Sequence, residues 1–520
     1  MSKNTLVPDK WETVPLESVC NIFDSQRIPV NVSERNKRIQ GKKRDELYPY
    51  YGATGQVGWI DGYIFDGEYV LVGEDGAPFL DPLKEKAYIA SGKFWVNNHA
   101  HILKAFTSNK YLKYFLDQVD FAQYVTGTTR LKLNQSNLRN IEISFPPENE
   151  QHRIVAKIEQ LFSALDKGVA DLKAAKKKLE LYRQSLLKAA FEGRLTEQWR
   201  RDHASEIEST EELLARIKAE REKRYQQQLE EWQQAVKKWE GHGKPGKKPK
   251  KPRKPKELPP LTEEELAELP KLPEGWVWGY SEWAGDIETG TTPSKKHPEY
   301  YGSKFPFFKP TDLEAGYEVT EAREYLSSKG IKYARLLPVN SILVTSIGAT
   351  IGKTGIIRCA GASNQQINAI IPIDSSNPNY VYWQTVGPLF QKELKKQASS
   401  TTMPIINKSK FALLHFAFCS KSEQDKITQL LEKAFASINH LTQTIDQALS
   451  QADLLRQAIL KKAFSGQLVP QDPNDEPASE LLKRIKAERE AVKAGQRGQR
   501  GRSGPGQRKG QGGQRRKARG

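Results

Sequence analysis

Apolar residues repeat with a seven-residue period between residues 149 and 195. The first position of each heptad is leucine or isoleucine, at Ile158, Leu165, Leu172, Leu179 and Leu186. A second apolar set follows three residues later, at Leu161, Ala175, Tyr182 and Ala189, and Gly168 interrupts it. This spacing is typical of a helix that packs along a second helix, because one helix cannot bury such a seam alone. We therefore predict a long helix over 149–195 that needs a partner.

The chain contains a second stretch of the same kind. Adding 273 to each residue number aligns 150–195 with 423–468 without a gap, and 15 of the 46 positions are identical. The apolar heptad positions recur at Leu431, Ile438, Ile445 and Ile459, with Ala452 between the last two. The long seams favour pairing of the two helices with each other. Separate packing of each helix on its own domain is the alternative.

The repeat continues outside these helices. At the same offset Thr128-Thr129 match Thr401-Thr402, and Asn134 matches Asn407. The segment ELLARIKAERE, which begins at Glu212, is echoed by ELLKRIKAERE from Glu480 after a five-residue gap. Upstream of residue 127 the two halves differ almost completely, and short strand-like runs alternate there with glycine and aspartate turns. The predicted fold is α+β, with two unlike globular domains separated by an antiparallel intramolecular coiled coil in a pseudo-twofold repeat.

The predicted domain boundaries follow from these patterns. The chain divides into a globular domain (1–148), the first long helix (149–195), a charged helical extension (196–236), a Lys/Pro-rich disordered linker (237–272), a second globular domain (273–421), the second long helix (422–468), a short charged helical segment (469–490) and an Arg/Gly-rich disordered tail (491–520).

The net charge of +18 lies almost entirely in two segments. Residues 237–256 carry 10 basic and 1 acidic residue, and residues 491–520 carry 10 basic residues and no acidic one. The remainder of the chain is therefore close to neutral. Such Pro/Gly-rich basic runs attract phosphate without reading a sequence, so charge alone does not predict a specific DNA-binding protein.

Basic residues within the globular domains are the candidate DNA contacts. The run RNKRIQGKKR at 35–44 holds six basic residues and precedes the aromatic stretch YPYYGATGQVGW, a composition typical of nucleic-acid surfaces. A solvated loop is the alternative. The candidates are Arg38, Lys42, Lys43, Arg44, Lys93, Arg130 and Lys132 in the first domain, and Lys295, Lys296, Lys309 and Lys353 in the second.

The sequence contains no set of residues that predicts catalysis or metal binding. The segment SIGATIGKT has three residues between Gly348 and Gly352, whereas a P-loop needs four, and a strand-like run follows it in place of a helix. We interpret it as a strand–turn–strand. The three cysteines are far apart and are interpreted as small buried residues of a cytosolic protein. There is no apolar run of membrane-spanning length.

At this point the chain resembles the specificity subunit of type I restriction-modification systems. The resemblance covers about residues 11–470 and rests on YPYYGATGQVGWIDGYIFDGEYVLVGEDG in the first domain. In the second domain it rests on FPFFKPTDL, SIGATIGKTG and SNQQINAI, and PPENEQHRIVAKIEQLF and SEQDKITQLLEKAF open the two long helices. The ordered, duplicated set of motifs is more specific than any single one.

The resemblance implies a non-catalytic, cytoplasmic DNA-recognition subunit. Each globular domain would be a target-recognition domain for one half of a bipartite, asymmetric site in double-stranded DNA, and the coiled coil would set the spacer. Two modification subunits and the restriction subunits would be the partners. S-adenosylmethionine, ATP and magnesium would act in those partner chains, with no cofactor bound here. A coiled-coil scaffold that binds nucleic acid non-specifically through its basic segments is the alternative.

Overall fold

The computed structural model describes residues 8–244, 248–252, 254–255, 260–374, 376–399 and 403–502. The predicted matches at Thr401 and Thr402 lie outside these residues. The chain divides into two compact units. The first unit contains residues up to Lys173 and from Asp446 onward, and the second contains Ala174–Ile445.

The first globular domain is formed by strands and short helices that lead into one long helix. Its strands are β1 (Glu12–Pro15), β2 (Cys20–Ile22), β3 (Tyr48–Gly52), β4 (Gly55–Ile60), β5 (Phe65–Asp66), β6 (Tyr69–Gly73), β7 (Ala87–Ala90), β8 (Lys93–Val96), β9 (Ala100–Ala105), β10 (Val125–Thr126), β11 (Lys132–Leu133) and β12 (Glu142–Phe145). Its helices are α1 (Val32–Ile39), α2 (Asn109–Gln118), α3 (Gln135–Arg139) and α4 (Glu148–Phe191).

The second half of the chain has a similar set of elements. Three helices precede its domain: α5 (Glu197–Asp202), α6 (Thr210–Gly241) and α7 (Glu263–Glu268). The strands are β13 (Val277–Tyr280), β14 (Gly285–Thr289), β15 (Tyr301–Phe308), β16 (Tyr325–Leu326), β17 (Ile342–Thr345), β18 (Thr354–Ile356), β19 (Ala362–Ser363), β20 (Ile367–Pro372) and β21 (His415–Phe418). The helices are α8 (Ser281–Ala284), α9 (Pro378–Val386), α10 (Pro388–Gln397), α11 (Lys408–Ala412), α12 (Lys421–Phe464) and α13 (Ala478–Arg502).

The two globular domains share their sheet topology although their sequences differ. An antiparallel sheet has the order β2-β9-β6-β7 in the first domain and β14-β20-β17-β18 in the second. A second sheet contains one parallel pair in each case, β3 with β8 and β15 with β19. The first strand of each domain also pairs with the last, β1 with β12 and β13 with β21. The strands β17 and β18 form the antiparallel strand–turn–strand predicted around SIGATIGKT.

The two long helices run antiparallel to each other within each unit. In the first unit the beginning of α4 packs with the end of α12, so that Ile158 and Ile459 join one apolar core. In the second unit the end of α4 packs with the beginning of α12, and Leu186, Leu431 and Ile438 are buried together. The remaining predicted seam residues are only partly buried, at Leu165, Leu172, Leu179 and Ile445. The antiparallel helix pair of the sequence prediction is therefore confirmed.

Both long helices end in the same way. Gly193 and Gly466, which are equivalent in the repeat, both have φ of +71°, a conformation that glycine adopts without steric cost. A Cβ on Gly193 would lie 2.3 Å from Pro273, and one on Gly466 would lie 2.3 Å from Pro8. Each helix end is thus closed by the proline that precedes a globular domain. Helix α4 ends at Phe191, four residues earlier than predicted, because the turn at Gly193 follows.

A buried glutamate near the start of each long helix accepts hydrogen bonds from the domain's leading segment. Glu150 accepts from the Trp11 indole at 3.0 Å and from the Gln471 amide at 2.6 Å. Its counterpart Glu423 accepts from the Trp276 indole at 2.8 Å. Thr196 donates to the same Glu423 carboxylate at 2.6 Å, and Arg200 pairs with it. These bonds join strand, helix start and helix end in each unit.

The echoed motif ELLxRIKAERE docks on each globular domain. Leu213 and Ile217 of α6 are buried in the second unit, and Leu481 and Ile485 of α13 are buried in the first. The structure differs here from the predicted disorder of 237–272 and 491–520. Residues up to Gly241 continue α6, a Thr262/Glu265 capping box starts α7, and α13 continues from its docked turns to Arg502. The domain boundaries otherwise stay predictions.

The seam of the first unit contains a cavity. Small residues at Gly168 and Ala452 line a space of about 630 Å³, together with Leu165, Leu172 and Leu455. The equivalent positions in the second unit carry Leu441 and Leu179. The apolar packing of the two helices is therefore less complete in the first unit at this level.

We predict that Gly168→Ala stabilises the first unit by about 1 kcal/mol, because alanine favours the helix over glycine by about that amount. Nothing lies within 4 Å of a Cβ built on Gly168. Chemical denaturation followed by circular dichroism measures the change. The matched control is Gly193→Ala, which should destabilise because of its positive φ and its contact with Pro273. A destabilising Gly168→Ala would contradict the prediction.

The stability of the Glu150 junction should depend on pH. Burial raises the pKa of the Glu150 carboxyl, and the hydrogen bonds from Trp11 and Gln471 offset this only in part. A raised pKa in the folded state means that Glu150 stabilises the fold most below its ordinary pKa, about 4.3, and that this contribution falls as pH rises through the folded pKa. Glu150→Gln should therefore gain stability relative to the wild type as the pH rises above the ordinary carboxyl pKa of about 4.3. Amide hydrogen exchange in the first turns of α4 measures this. Exposed Glu148→Gln is the control and should show no such trend.

Candidate nucleic-acid interface

Four cations lie over aromatic rings on one sheet of the first domain. The Arg35 guanidinium carbon is 4.7 Å from the centroid of the Tyr50 ring, and that of Arg38 is 4.8 Å from Trp95. That of Arg44 is 3.2 Å from Trp59, and the Lys93 ammonium nitrogen is 4.7 Å from Tyr63. We call these four pairs the cation–aromatic surface. They come from α1, the turn after it, strands β3, β4 and β8 and the loop after β4, and the Tyr50 and Trp95 rings are buried beneath their arginines.

One carboxylate orients part of this surface. Asp61 pairs with Arg38 at 2.6 Å and with Lys42 at 2.9 Å. The hydrogen bond from Lys42, together with Arg38, holds the pKa of Asp61 below its ordinary value. Lys43 and Arg44 are exposed. Of the predicted contacts, Arg38, Lys42, Lys43, Arg44 and Lys93 thus lie in one region.

Arg130 and Lys132 belong to a different place, the loop edge of the first domain. Arg130 pairs with Asp75 at 2.9 Å, and Lys132 pairs with Glu74 at 3.1 Å. Glu74 also binds Arg27 at 2.7 Å. Burial raises the pKa of Glu74, but the hydrogen bonds from Arg27 and Lys132 outweigh burial and lower it. More than half of each cationic side chain remains exposed, at 63% for Arg130 and 52% for Lys132.

Two histidines, His99 and His101, stabilise this edge through hydrogen bonds. His101 is buried and bridges Asp24, at 2.6 Å, and the Leu133 carbonyl, at 2.8 Å. His99 bonds Asp75 at 2.7 Å, beside Arg130. Asn134 caps α3 by accepting from the Asn137 amide, and Asn407 caps α11 in the same way. Both histidines therefore have hydrogen-bond partners within the protein.

The predicted cations of the second domain are dispersed. Lys309 pairs with Glu324, and Lys353 pairs with Glu314 at 3.0 Å. Lys295 and Lys296 are exposed in the loop after β14. This loop leads to a stack of three rings. The centroid of the Tyr300 ring lies 4.8 Å from that of His297 and 4.4 Å from that of Tyr333. The stack places aromatic rings next in the chain to the two exposed lysines, Lys295 and Lys296.

The loop edge of the second domain contains several neutral polar residues, beside Glu288, which pairs with Arg335 and Lys408. It corresponds to the loop edge of the first domain, because β14, β17 and β19 are the equivalents of β2, β6 and β8 in the sheet topology. Thr289 donates to Asn368 at 2.7 Å, Thr292 donates to Gln365, and the Ser346 amide donates to the Gln366 carbonyl at 2.7 Å. The same topological edge thus carries different side chains in the two domains, with hydroxyl and amide groups in the second where the first has Glu74 and Asp75 with their cations.

A family model for the type I restriction-modification DNA specificity domain matches residues 8–174 and again residues 284–451, together more than half of the chain. The two matches coincide with the two copies of the repeat. The chain belongs to the type I restriction-modification DNA specificity family.

Individual relatives agree with the family match. The chain is 33% identical over 188 residues to a putative type I restriction enzyme specificity subunit of Haemophilus influenzae, which covers 34% of this chain and 46% of that protein. The match thus spans about half the length of that relative. This chain is also 22% identical over 498 residues to the EcoDI specificity subunit of Escherichia coli, and that match covers 93% of this chain and 96% of that protein. A chain solved in work on assembly of a type I R-M system shares the fold, with a TM-score of 0.59, 18% identity, and coverage of 89% and 99%.

Sequence reasoning missed several residues of these specificity domains. Arg35 lay in the basic run but was not selected, and the aromatic partners Trp59, Tyr63 and Trp95 were not assigned to particular cations. The alternation of aromatic residues in YPYYGATGQVGW was the available signal for part of this surface. The acidic partners Glu74 and Asp75 gave no signal, because they meet Arg130 and Lys132 only through the fold.

The described part of both specificity domains shows no group of three or more His, Cys, Asp or Glu side chains that would hold a metal ion. Among the helices described, none is long and apolar enough to cross a membrane. Cys20 and Cys419 are buried, and Cys359 is partly buried. Burial raises the pKa of the Cys20 thiol to about 12.

We predict that Arg44→Ala weakens DNA binding by the specificity domain and lowers the slope of the salt dependence by about one, because one phosphate-neutralising cation is lost. Trp59→Ala should weaken binding by about 1 kcal/mol, the size of an exposed cation–π interaction. Titrations of labelled duplex at several salt concentrations, with the full chain and its partners, measure both. Lys84→Ala is the control, since Lys84 is exposed and lies outside the cation–aromatic surface. An Arg44→Ala effect no larger than that of Lys84→Ala would contradict the assignment.

Proposed function

We propose that this chain is the non-catalytic DNA-recognition subunit of a type I restriction-modification complex. Each globular domain reads one half of a bipartite, asymmetric site in double-stranded DNA. The paired helices set the spacer between the half-sites. Methyl transfer and cleavage take place in partner chains.

One observation carries this proposal: the same sheet topology and the same helix junction occur twice, with unlike side chains on equivalent edges. The conserved parts of the repeat are the helix-end glycines and the buried glutamates Glu150 and Glu423. The edges differ, with Arg130, Lys132 and their acidic partners in one domain, and hydroxyl and amide groups beside the ion-paired Glu288 in the other. A duplicated frame with two different surfaces suits a ligand that presents two different sequences.

The chemistry of these surfaces fits DNA. Exposed arginine and lysine neutralise phosphates and position the protein, while groups that donate in fixed directions read base edges. We assign the phosphate role to Lys42, Lys43, Arg44 and Lys93 in the first domain and to Lys295 and Lys296 in the second. Arg130 and Gln365, at the two loop edges, have side-chain types that bind guanine and adenine edges in the major groove.

The partners follow from the family. Relatives are named specificity subunits of type I restriction enzymes, and one matching chain comes from work on assembly of a type I system. We propose that two modification subunits and the restriction subunits bind this chain. S-adenosylmethionine, ATP and magnesium would be held by those partners, where the reactions occur.

Exchange of residues 1–148 for the corresponding domain of another specificity subunit tests the proposal. Because each domain reads its own half-site, the chimera should change one half of the methylated sequence and keep the other half and the spacer. Methylome sequencing of cells that carry the chimera and its partners gives the result. A change in both halves, or in neither, would contradict modular reading.

The scaffold alternative makes the opposite prediction for the basic segments. Replacement of the lysines and arginines of 245–256 and 503–520 by serine and glutamine removes most of the excess charge while leaving the docked helices intact. Under our proposal the methylated sequence is unchanged and only the salt dependence of binding falls. Loss of the sequence preference would favour the scaffold.

A further inference from the structure

Two equivalent arginines, one on each long helix, contact the other helix beside the apolar seam. We call each arginine, with the ring and the polar side chain that it contacts, a clasp. In the first unit Arg456 of α12 lies over the Phe162 ring of α4, 4.7 Å from its centroid, and pairs with Asp166. In the second unit Arg183 of α4 lies over the Phe435 ring of α12 at 5.3 Å and bonds Asn439. Each residue of one clasp is related to its counterpart by the offset of 273.

The clasps occupy the positions that select orientation in a helix pair. With Ile158 and Leu431 at the first heptad position, Phe162, Arg183, Phe435 and Arg456 all fall at the fifth. Residues at such flanking positions set the partner and the orientation of a coiled coil. Phenylalanine and its polar partner are four residues apart, so they lie on one face and meet the arginine together.

The apolar seam alone specifies the register weakly. Gly168 and Ala452 leave the cavity in the first unit, and Tyr182, Leu441 and Leu455 are about half exposed. A slip by one heptad again places apolar residues opposite apolar residues. Such a slip moves one helix by about 10 Å along the other, since each residue rises about 1.5 Å.

The clasps distinguish the register where the seam does not. A slip in one direction would bring Arg456 beside Val169 and Lys173, which offer no ring and a like charge. A slip in the other direction would bring it beside Val155 and Glu159, which offer a carboxylate but no ring. In both cases Arg183 would exchange the Phe435 ring for a threonine, Thr442 or Thr428, and Asn439 for a carboxylate, Asp446 or Glu432, so the discrimination comes from the two phenylalanine rings.

We infer that Arg456 and Arg183 are positioning residues that fix the register of α4 against α12 together with the junctions at Glu150 and Glu423, and that they thereby restrict the chain to one spacer length. The restriction on spacer length rests on the proposed function. The register itself does not, so the two parts are measured separately.

The test uses the full chain with its partners and the variant Arg183→Ala/Arg456→Ala. Substrates carry both half-sites with the spacer varied in single base-pair steps, and methylation of each is measured. The wild type should prefer one spacer, and the variant should methylate neighbouring lengths with a loss of discrimination of about tenfold, equivalent to about 1.4 kcal/mol. The half-sites should be unchanged. Arg201→Ala is the matched control, because Arg201 is an exposed arginine that pairs with Glu197 of its own helix.

A charge exchange keeps the inference falsifiable if the double variant is unstable. Arg456→Asp alone should relax the spacer preference, and Arg456→Asp with Asp166→Arg should restore it in part, because the ion pair is rebuilt without moving the seam. Failure of the second substitution to restore any discrimination, or unchanged discrimination in all variants, would overturn the inference.

Spin labels at the exposed Ser163 and Gln451, in a Cys359→Ser background, report the register without DNA. The wild type should give one narrow interspin distance, and Arg183→Ala/Arg456→Ala should give a broader distribution. An equally narrow distribution would overturn the register role. If the wild type shows one register but methylates no bipartite site, the proposed function fails while the register role stands.

Discussion

The structure depends on the need of two long helices to cover their apolar seams. Neither α4 nor α12 has a full set of buried contacts without the other, and each unit contains the beginning of one and the end of the other. The antiparallel arrangement places a helix start beside a helix end in both units. Glu150 and Glu423 accept their hydrogen bonds at these two meetings of a helix start with a helix end. The globular domains are therefore joined to the helix pair at points that hydrogen bonds hold in place.

Restraint and variation are divided between different parts of the repeat. The glycine turns, the prolines against them and the buried carboxylates recur in both halves, because each position has a steric or hydrogen-bonding demand that few residues meet. The loop edges recur only as backbone. Their exposed side chains are not needed to fill the core, so that Arg130 with Asp75 and Thr292 with Gln365 can occupy the two edges.

Periodicity and the internal repeat predicted the helix pair from sequence, since both patterns express local geometry. The strand–turn–strand at Gly348 was predicted for the same reason, from glycine spacing and the apolar runs beside it. The partners of Arg38, Arg130 and Lys353 were not predicted, because Asp61, Asp75 and Glu314 meet them only after the chain has folded. Composition also predicted disorder over residues that include the short helix α7, which Thr262 and Glu265 cap. The capping box is a local sequence signal, but the prediction rested on the charge and proline content of the segment.

The two arginine clasps differ in one respect, since Asp166 is charged and Asn439 is neutral. Added salt screens the first clasp and leaves the second nearly unaffected. The two side contacts of the helix pair therefore differ in their salt dependence: concentrated salt weakens the ion pair in the half that contains the cavity more than the neutral hydrogen bond in the other half. In a duplicated molecule, the difference between Asp166 and Asn439 thus makes one contact sensitive to ionic strength and leaves its counterpart insensitive.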